Sequence, residues 1–345
     1  MLPPPMSDHA TIPAAARALS LIAVAALAAV ALAACGGSDA TGGRTSSGAT
    51  KPVSLVLDFT PNAAHAGIYT ALERGYDRDA GIDLHVIVPS QSTDAIKLLE
   101  TGRADFAILD IHDLAIARER GEQIAGVLPI VEQPLAAVIA APGFHDPAQL
   151  QGHTVGVSGD PSDTAVLDSV VRGSGGDPGK VKTITIGYDA VADLLAGRVD
   201  AATAFWNDEG VTLQRRKPGF HVFRVDRYGA PSYPELVVCA SDAFLHAHPD
   251  LARALVQTLS RGYDAVIGHP KVGEHALESQ VPGLDGQLVA AELTQLEPAF
   301  TGPEHRFGVL DLALLRRWAR WEQRFGIVRR VPDVATTFDT RFAPR

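Results

Sequence analysis

Cysteine is nearly absent from this chain: two occur in 345 residues, Cys35 and Cys239. A body that keeps only Cys239 after Cys35 has no intramolecular disulfide and no cysteine-built metal cluster. Cys239 lies in Leu236-Val237-Val238-Cys239-Ala240 and reads as a small buried hydrophobe on a strand. Positive charge is also short. Thirty Lys and Arg stand against 40 Asp and Glu, a formal net charge of -10. An acidic chain gains nothing from counterion release, so neither nucleic acid nor an anionic membrane surface is expected as its main partner. Long hydrophobic runs are missing with one exception, Leu19 to Cys35, which is too short for a comfortable membrane span. No lysine follows the glycines of Gly156-Val157-Ser158-Gly159, which excludes a Walker loop there.

What is present begins with that apolar run. Arg17 precedes it as a thin positive flank, and it ends in Leu32-Ala33-Ala34-Cys35. A leucine, two small residues and a cysteine resemble the bacterial lipobox, in which the cysteine is diacylated and becomes the mature N-terminus. A plain secretory signal with a chance cysteine is the alternative. Residues 1–35 are therefore expected to be a lipoprotein signal, with 36–52, small and polar, as a flexible tether. Two lipid chains on Cys35 give stable attachment to the outer face of the cytoplasmic membrane. The remaining body, roughly 310 residues, has room for one large or two ordinary domains. The hydrophobic share of 46% supports a large core.

Within the body, segments 53–58, 83–88 and 104–109 read as strands. Helices over 64–74, from a Ser92 or Thr93 cap to 100, and over 113–119 are closed by Gly75, Gly102 and Gly121. Strands follow at 127–131 and 135–140. The pattern then restarts with strands at 154–157, 182–186, 201–206 and 221–225, a helix through 171 and another over 191–195. A strand from Leu236 leads into helical stretches at 249–267, 285–296 and 310–325. Alternation of this kind predicts βαβ units and mostly parallel sheets. Gly102-Arg103-Ala104-Asp105 is echoed by Gly197-Arg198-Val199-Asp200. Two related α/β lobes leave a cleft at the carboxyl ends of their strands, where small molecules bind.

Four clusters are candidates to line that cleft. In 58–69, Asp58 and Asn62 suit amide or amino groups, His65 stands beside them, and Tyr69 lies one turn further with a face for a flat ligand. Helix capping and local packing explain the same residues without a ligand. In Asp110-Ile111-His112-Asp113, His112 suits a base or half of a metal site, and one Asp suits a helix cap. No second cluster has ligand spacing, so no metal is expected. The turn 156–164 offers Ser158, Asp160 and backbone N–H groups to a carboxylate, phosphate or carbonyl, or is an ordinary turn. In Phe205-Trp206-Asn207-Asp208-Glu209-Gly210, Trp206 is expected to stack on a heteroaromatic ring while Glu209 accepts from its amine. A packed indole and a solvated Glu are the alternative. Tyr188 and the loop Tyr228 to Tyr233 add aromatic wall. Trp318 and Trp321 fall on a helix and read as packing.

Together, Leu57-Asp58-Phe59-Thr60-Pro61-Asn62 with His65-Ala66-Gly67-Ile68-Tyr69, Gly102 to Phe106, Phe205 to Gly210, and Tyr228-Gly229-Ala230-Pro231 with Tyr233 resemble the NMT1/THI5-like family of solute-binding proteins. The resemblance spans roughly 53–330. It is strongest to the branch that delivers formylaminopyrimidine, a thiamine precursor, to an ABC transporter. It implies a two-lobed α/β periplasmic-binding-protein fold of type II, with mixed sheets flanked by helices and hinge closure around the ligand. Lobe 1 is expected from 53–136 and 237–345, and lobe 2 from 137–236. It implies a monomeric binding protein with no catalysis and no cofactor, partnered by a permease and an ATPase. The site set it implies is Asp58, Phe59, Asn62, His65, Tyr69, His112, Ser158, Asp160, Tyr188, Trp206, Glu209 and Tyr233. The family carries a tryptophan or similar aromatic where Phe59 stands, so that stacking partner is changed. A pyrimidine phosphate synthase of the same family consumes a histidine matched by His112, but its pyridoxal-binding lysine falls near Ile108, where there is no amine. Other relatives bind riboflavin or alkanesulfonates. Riboflavin, also flat, stays open, whereas sulfonate disagrees with an acidic and aromatic residue set.

Overall fold

Short apolar segments between glycine-ended helices pair into two five-stranded sheets in the computed structural model, which describes residues 50–89, 94–160, 162–302 and 304–344. The expected signal, Cys35 and most of the tether lie outside the described residues, as do Ser92 and Thr93. The strands are β1 (Lys51–Val56), β2 (Ile82–Ile87), β3 (Phe106–Asp110), β4 (Ile124–Val131), β5 (Ala136–Ala140), β6 (Thr154–Val157), β7 (Lys182–Thr185), β8 (Ala201–Phe205), β9 (His221–Arg224) and β10 (Leu236–Ser241). The first sheet runs β2-β1-β3-β10-β4 and the second β7-β6-β8-β5-β9.

Both sheets are mixed, which corrects the expectation of mostly parallel pairing. β1 is parallel to β2 and β3, and β6 to β7 and β8. β10 is antiparallel to β3 and β4, and β5 to β8 and β9. The exceptions have one cause. β5 and β10 arrive from the opposite sheet, not through a crossover helix, so the geometry that makes βαβ neighbours parallel does not act on them. β4 is buried at every position although it ends the strand order, and an isolated bridge from Gly126 to Phe338 meets its outer edge.

The echo seen in the sequence has a structural counterpart. Gly102 and Gly197 take positive φ angles of 65° and 66°. Three residues later, Asp105 Oδ2 accepts from the Ser54 N–H of β1 at 2.8 Å, and Asp200 Oδ2 accepts from the Thr154 N–H at the start of β6 at 2.9 Å. Each Asp thus ties the entry of one strand, β3 or β8, to its parallel neighbour, β1 or β6, supplying an acceptor where the ladder has none.

Helices cover the sheets. The amphipathic Pro249–Val266 crosses Ala66–Glu73 at glycine: a Cβ on Gly262 would stand 2.0 Å from the Gly67 carbonyl oxygen. Only the absence of side chains lets the two backbones approach so closely. Helix Pro270–Gln280, unforeseen in the sequence, starts with proline in its first turn, where no N–H is needed. Helix Leu312–Arg324 buries Trp318 and Trp321, at 0% and 5% exposure, as their spacing predicts.

The chain leaves the first sheet after Val131, enters the second at Ala136, and returns between Arg224 and Leu236. Glu235 joins the two crossings. Its carboxylate accepts from the Leu135 and Ala136 N–H groups, and its own N–H donates to the Val131 carbonyl at 2.9 Å.

Candidate functional site

β1, β3, β6 and β8 all end at one cleft of about 1100 Å³, open to solvent. Parallel strands direct their loops to their carboxyl ends, so the residues just after each strand become the walls. Asp58, Phe59 and Asn62 follow β1, and Asp110, His112 and Asp113 follow β3. From the second sheet come Ser158, Asp160 and Asp163, then Tyr188, then Asn207, Asp208 and Glu209.

Two contacts already span the walls. Asn62 caps the turn Ala63–His65 by accepting from the Ala64 N–H at 2.8 Å, while its side-chain amide donates to Asp208 Oδ2 at 3.1 Å. Phe59 meets Tyr188 edge to face, ring centroids 4.8 Å apart.

The predicted residues divide into those that line the cleft and those behind it. Asp58, Phe59, Asn62, His112, Ser158, Asp160, Tyr188 and Glu209 line it. His65 is fully buried behind Asp58. Its Nδ1 accepts from the Asn62 N–H at 3.2 Å, which leaves Nε2–H to donate to Asp58 Oδ1 at 2.9 Å. His65 therefore aims Asp58 and does not face the cavity. Tyr69 lies in the core under the first sheet, because one further helical turn carries it away from the cleft. Tyr233 is fully buried, with its hydroxyl 3.2 Å from His112 Nε2.

Trp206 differs most from expectation. Its indole N–H donates to the Pro134 carbonyl at 2.9 Å, and the Arg224 guanidinium stands over its ring at 4.3 Å. Both its polar edge and one face are thus occupied at the crossing between the sheets, and it does not line the cleft. Phe59, Tyr188 and Phe205 are the aromatic residues there.

The walls are acidic. Among the described residues no Lys or Arg lines the cleft. Burial pushes Asp113 up to about 7, assisted by Asp160 and Asp163 opposite. Burial likewise pushes Asp208 up to about 6, and Asp58 across the cleft adds to this against the bond from Asn62. Glu209 is pushed up to about 8 by burial and by Asp208, while accepting from the Phe205 N–H at 3.1 Å. Asn207 is 1% exposed, and its side-chain oxygen has no hydrogen-bond partner. The turn after β6 serves itself: Asp163 accepts from the Gly159 N–H at 3.1 Å, and the Ser158 hydroxyl lies 2.6 Å from the same carboxylate. Its N–H groups are therefore not held open for an anion.

The floor is built differently. His112 Nδ1 bonds to Glu322 and its Nε2 faces Tyr233 and, at 3.9 Å, Glu235. Burial alone would lower the His112 pKa, but Glu322, Asp110 and Glu235 outweigh it and hold it at about 10. Asp110 caps helix Ile111–Arg120 by accepting from the His112 N–H at 2.7 Å. Asp110, His112 and Glu235 bring ligand-type atoms within 4.8 Å of one another. An imidazolium with both nitrogens engaged does not ligate a metal, so the trio is an ionic cluster.

Sequence reasoning passed over Asn207, Asp208, Asp113 and Asp163 as ligand-facing residues, although each lies within three positions of one it chose. It also passed over Glu322. The available signal was spacing: Glu322 falls four residues after Trp318, on the buried stripe of its helix.

Residues 62–272 match the family model described as NMT1/THI5 like. The chain belongs to the NMT1/THI5-like family. It is 31% identical over 225 residues to a formylaminopyrimidine-binding protein of Halalkalibacterium halodurans, covering 64% of this chain and 68% of that one. It is 22% identical over 235 residues, with 64% and 68% coverage, to a 4-amino-5-hydroxymethyl-2-methylpyrimidine phosphate synthase of Saccharomyces cerevisiae. The ligand-binding component of an ABC-type import system from Staphylococcus aureus superposes with a TM-score of 0.69 at 12% identity, over 85% of this chain and 98% of that one. The fold of this NMT1/THI5-like chain is thus the two-lobed, mixed α/β fold of type II periplasmic binding proteins. Its fold matches that of non-catalytic binding proteins. The span matched by the family model covers every cleft residue except Asp58 and Phe59.

Proposed function

We propose that the protein captures a flat, amine-bearing heteroaromatic solute between its lobes and passes it unchanged to a permease and its ATPase. The solute is a thiamine-precursor pyrimidine of the formylamino or hydroxymethyl type. Lobe 1 comprises 53–136 and 237–345 and lobe 2 comprises 137–236, with a lipid on Cys35 keeping the protein beside its transporter. The observation that carries this reading is the pairing of an acceptor-rich wall, Asp208, Glu209 and the unpartnered Asn207 oxygen, with the rings of Phe59 and Tyr188 at the same cleft. Ring amines donate to such a wall while the ring face meets the aromatic pair. The relative that binds formylaminopyrimidine supports the choice among flat solutes.

Sulfonate recognition would need a cation or open N–H groups, and among the described residues no Lys or Arg lines the cleft. Pyrimidine synthesis would need an amine where Ile108 lines the cavity. Riboflavin is the second reading, favoured by the same flat aromatic pair.

Calorimetry on the ligand-free protein with hydroxymethyl- and formylaminopyrimidine, riboflavin and an alkanesulfonate is the test. Micromolar or tighter binding of an aminopyrimidine is expected. Glu209→Gln is expected to weaken it more than about tenfold, the loss typical of a buried charge-assisted bond. Riboflavin binding with no response to any aminopyrimidine at millimolar concentration selects the second reading.

A further inference from the structure

We propose that the solute carries a positive charge, an ammonium group or a cationic ring on the flat heteroaromatic body. This rests on the reading of the cleft as a heteroaromatic site and replaces the neutral formylamino or hydroxymethyl substituent of that reading with a charged one. The argument begins with where the carboxylates stand. Asp58 on one wall faces Asp208 on the other, and Asp113 faces Asp160 and Asp163. Closing the cleft brings like charges together in a partly dehydrated space, and such an arrangement is unfavourable unless a cation or protons intervene.

Among the described residues no Lys or Arg lines the walls, and His65, behind them, is engaged by Asp58 at 2.9 Å. His112 is engaged by Glu322 and Tyr233, and Arg224 lies over Trp206 while bonding Asp226 at 3.1 Å. Donors are scarce as well. The Asn62 amide is directed at Asp208, and the Ser158 hydroxyl and Gly159 N–H are directed at Asp163. A separate observation points the same way. Asn207 is 1% exposed, lines the cleft, and holds an acceptor oxygen with no donor. A buried acceptor without a donor is costly, and a ligand N–H relieves it. Burial first, and neighbouring carboxylates second, raise the pKa values of Asp113, Asp208 and Glu209. A neutral solute leaves that crowding in place, whereas a cation replaces the protons.

The experiment compares matched probes by calorimetry on the full-length protein at neutral pH. The neutral probe is 4-amino-5-hydroxymethyl-2-methylpyrimidine. Its 5-aminomethyl counterpart differs by bearing an ammonium, and benzylamine is an ammonium without the pyrimidine. The 5-aminomethyl compound is expected to bind at least about tenfold tighter than the neutral one, with the advantage shrinking at high salt. Asp113→Asn and Asp208→Asn, checked for folding by circular dichroism, are expected to narrow the gap. Equal or tighter binding of the neutral pyrimidine overturns the positive charge and leaves the pyrimidine function standing. Tight benzylamine binding without either pyrimidine keeps the charge and overturns the pyrimidine. Binding of no probe overturns both.

Discussion

The floor and the walls of the cleft are both rich in buried carboxylates, yet among the described residues it is the floor that is built around a cation. Around His112 the carboxylates of Glu322, Glu235 and Asp110 stand about one imidazolium, and bonds run from the helix Leu312–Arg324 to the crossing between the sheets. Along the walls, no Lys or Arg among the described residues stands beside Asp113, Asp208 and Glu209. A buried charge with its partner built in is architecture, because removing either leaves the other stranded. A buried charge whose partner is missing is an opening for something from outside. The difference separates two uses of the same chemistry within one site.

The largest effect should come from breaking the floor. His112→Ala leaves Glu322 and Glu235 buried without a counter-charge and is expected to cost about 3–5 kcal/mol of stability. Urea unfolding measures this, and a loss below about 1 kcal/mol would show that the floor does not depend on its cation. The next effect sharpens the contrast through pH. Asp208, Asp113 and Glu209 are raised to about 6, 7 and 8, so the folded state binds protons that the unfolded chain has already released. Their contribution is complete below the ordinary carboxylate range and is lost as pH rises through those values. His112 loses its contribution higher, between its ordinary pKa of 6.5 and about 10. The ligand-free protein should therefore melt several degrees lower at pH 8 than at pH 5, and Asp113→Asn should flatten that slope. A melting temperature that rises over this interval contradicts the picture of crowded walls. The smallest effect concerns the aromatic pair. Tyr188→Ala removes the edge-to-face partner of Phe59 and is expected to weaken solute binding about two- to tenfold with little change in melting temperature. Unchanged affinity would remove that pair from recognition.

Much of the fold is legible in the sequence because it rests on local rules. Gly102 and Gly197 end helices, and Asp105 and Asp200 enter buried strands, in a pattern visible as text before it is visible as hydrogen bonds. The antiparallel returns of β5 and β10 are less legible, since an apolar strand reads the same in either direction. The cleft divides in the same manner. Asp58, Asn62 and Glu209 follow from their positions after strands, whereas Trp206 misleads because residue type outweighs direction. Along β8 and its exit, Phe205 and Asn207 line the cavity while Trp206, between them, turns to Pro134. The partner of His112 lies 210 residues away, a distance across which no periodicity reaches.

Cys239, the one cysteine among the described residues, sits with 0% exposure in β10, between β3 and β4. Burial also raises its pKa, so it carries no reactive thiolate in the closed sheet. A thiol reagent should therefore modify it only in molecules whose first sheet has come apart. The scarcity of cysteine gives the body an internal clock: labelling at this single sulfur times the opening of the first sheet, unaffected by motion of the lobes around a solute.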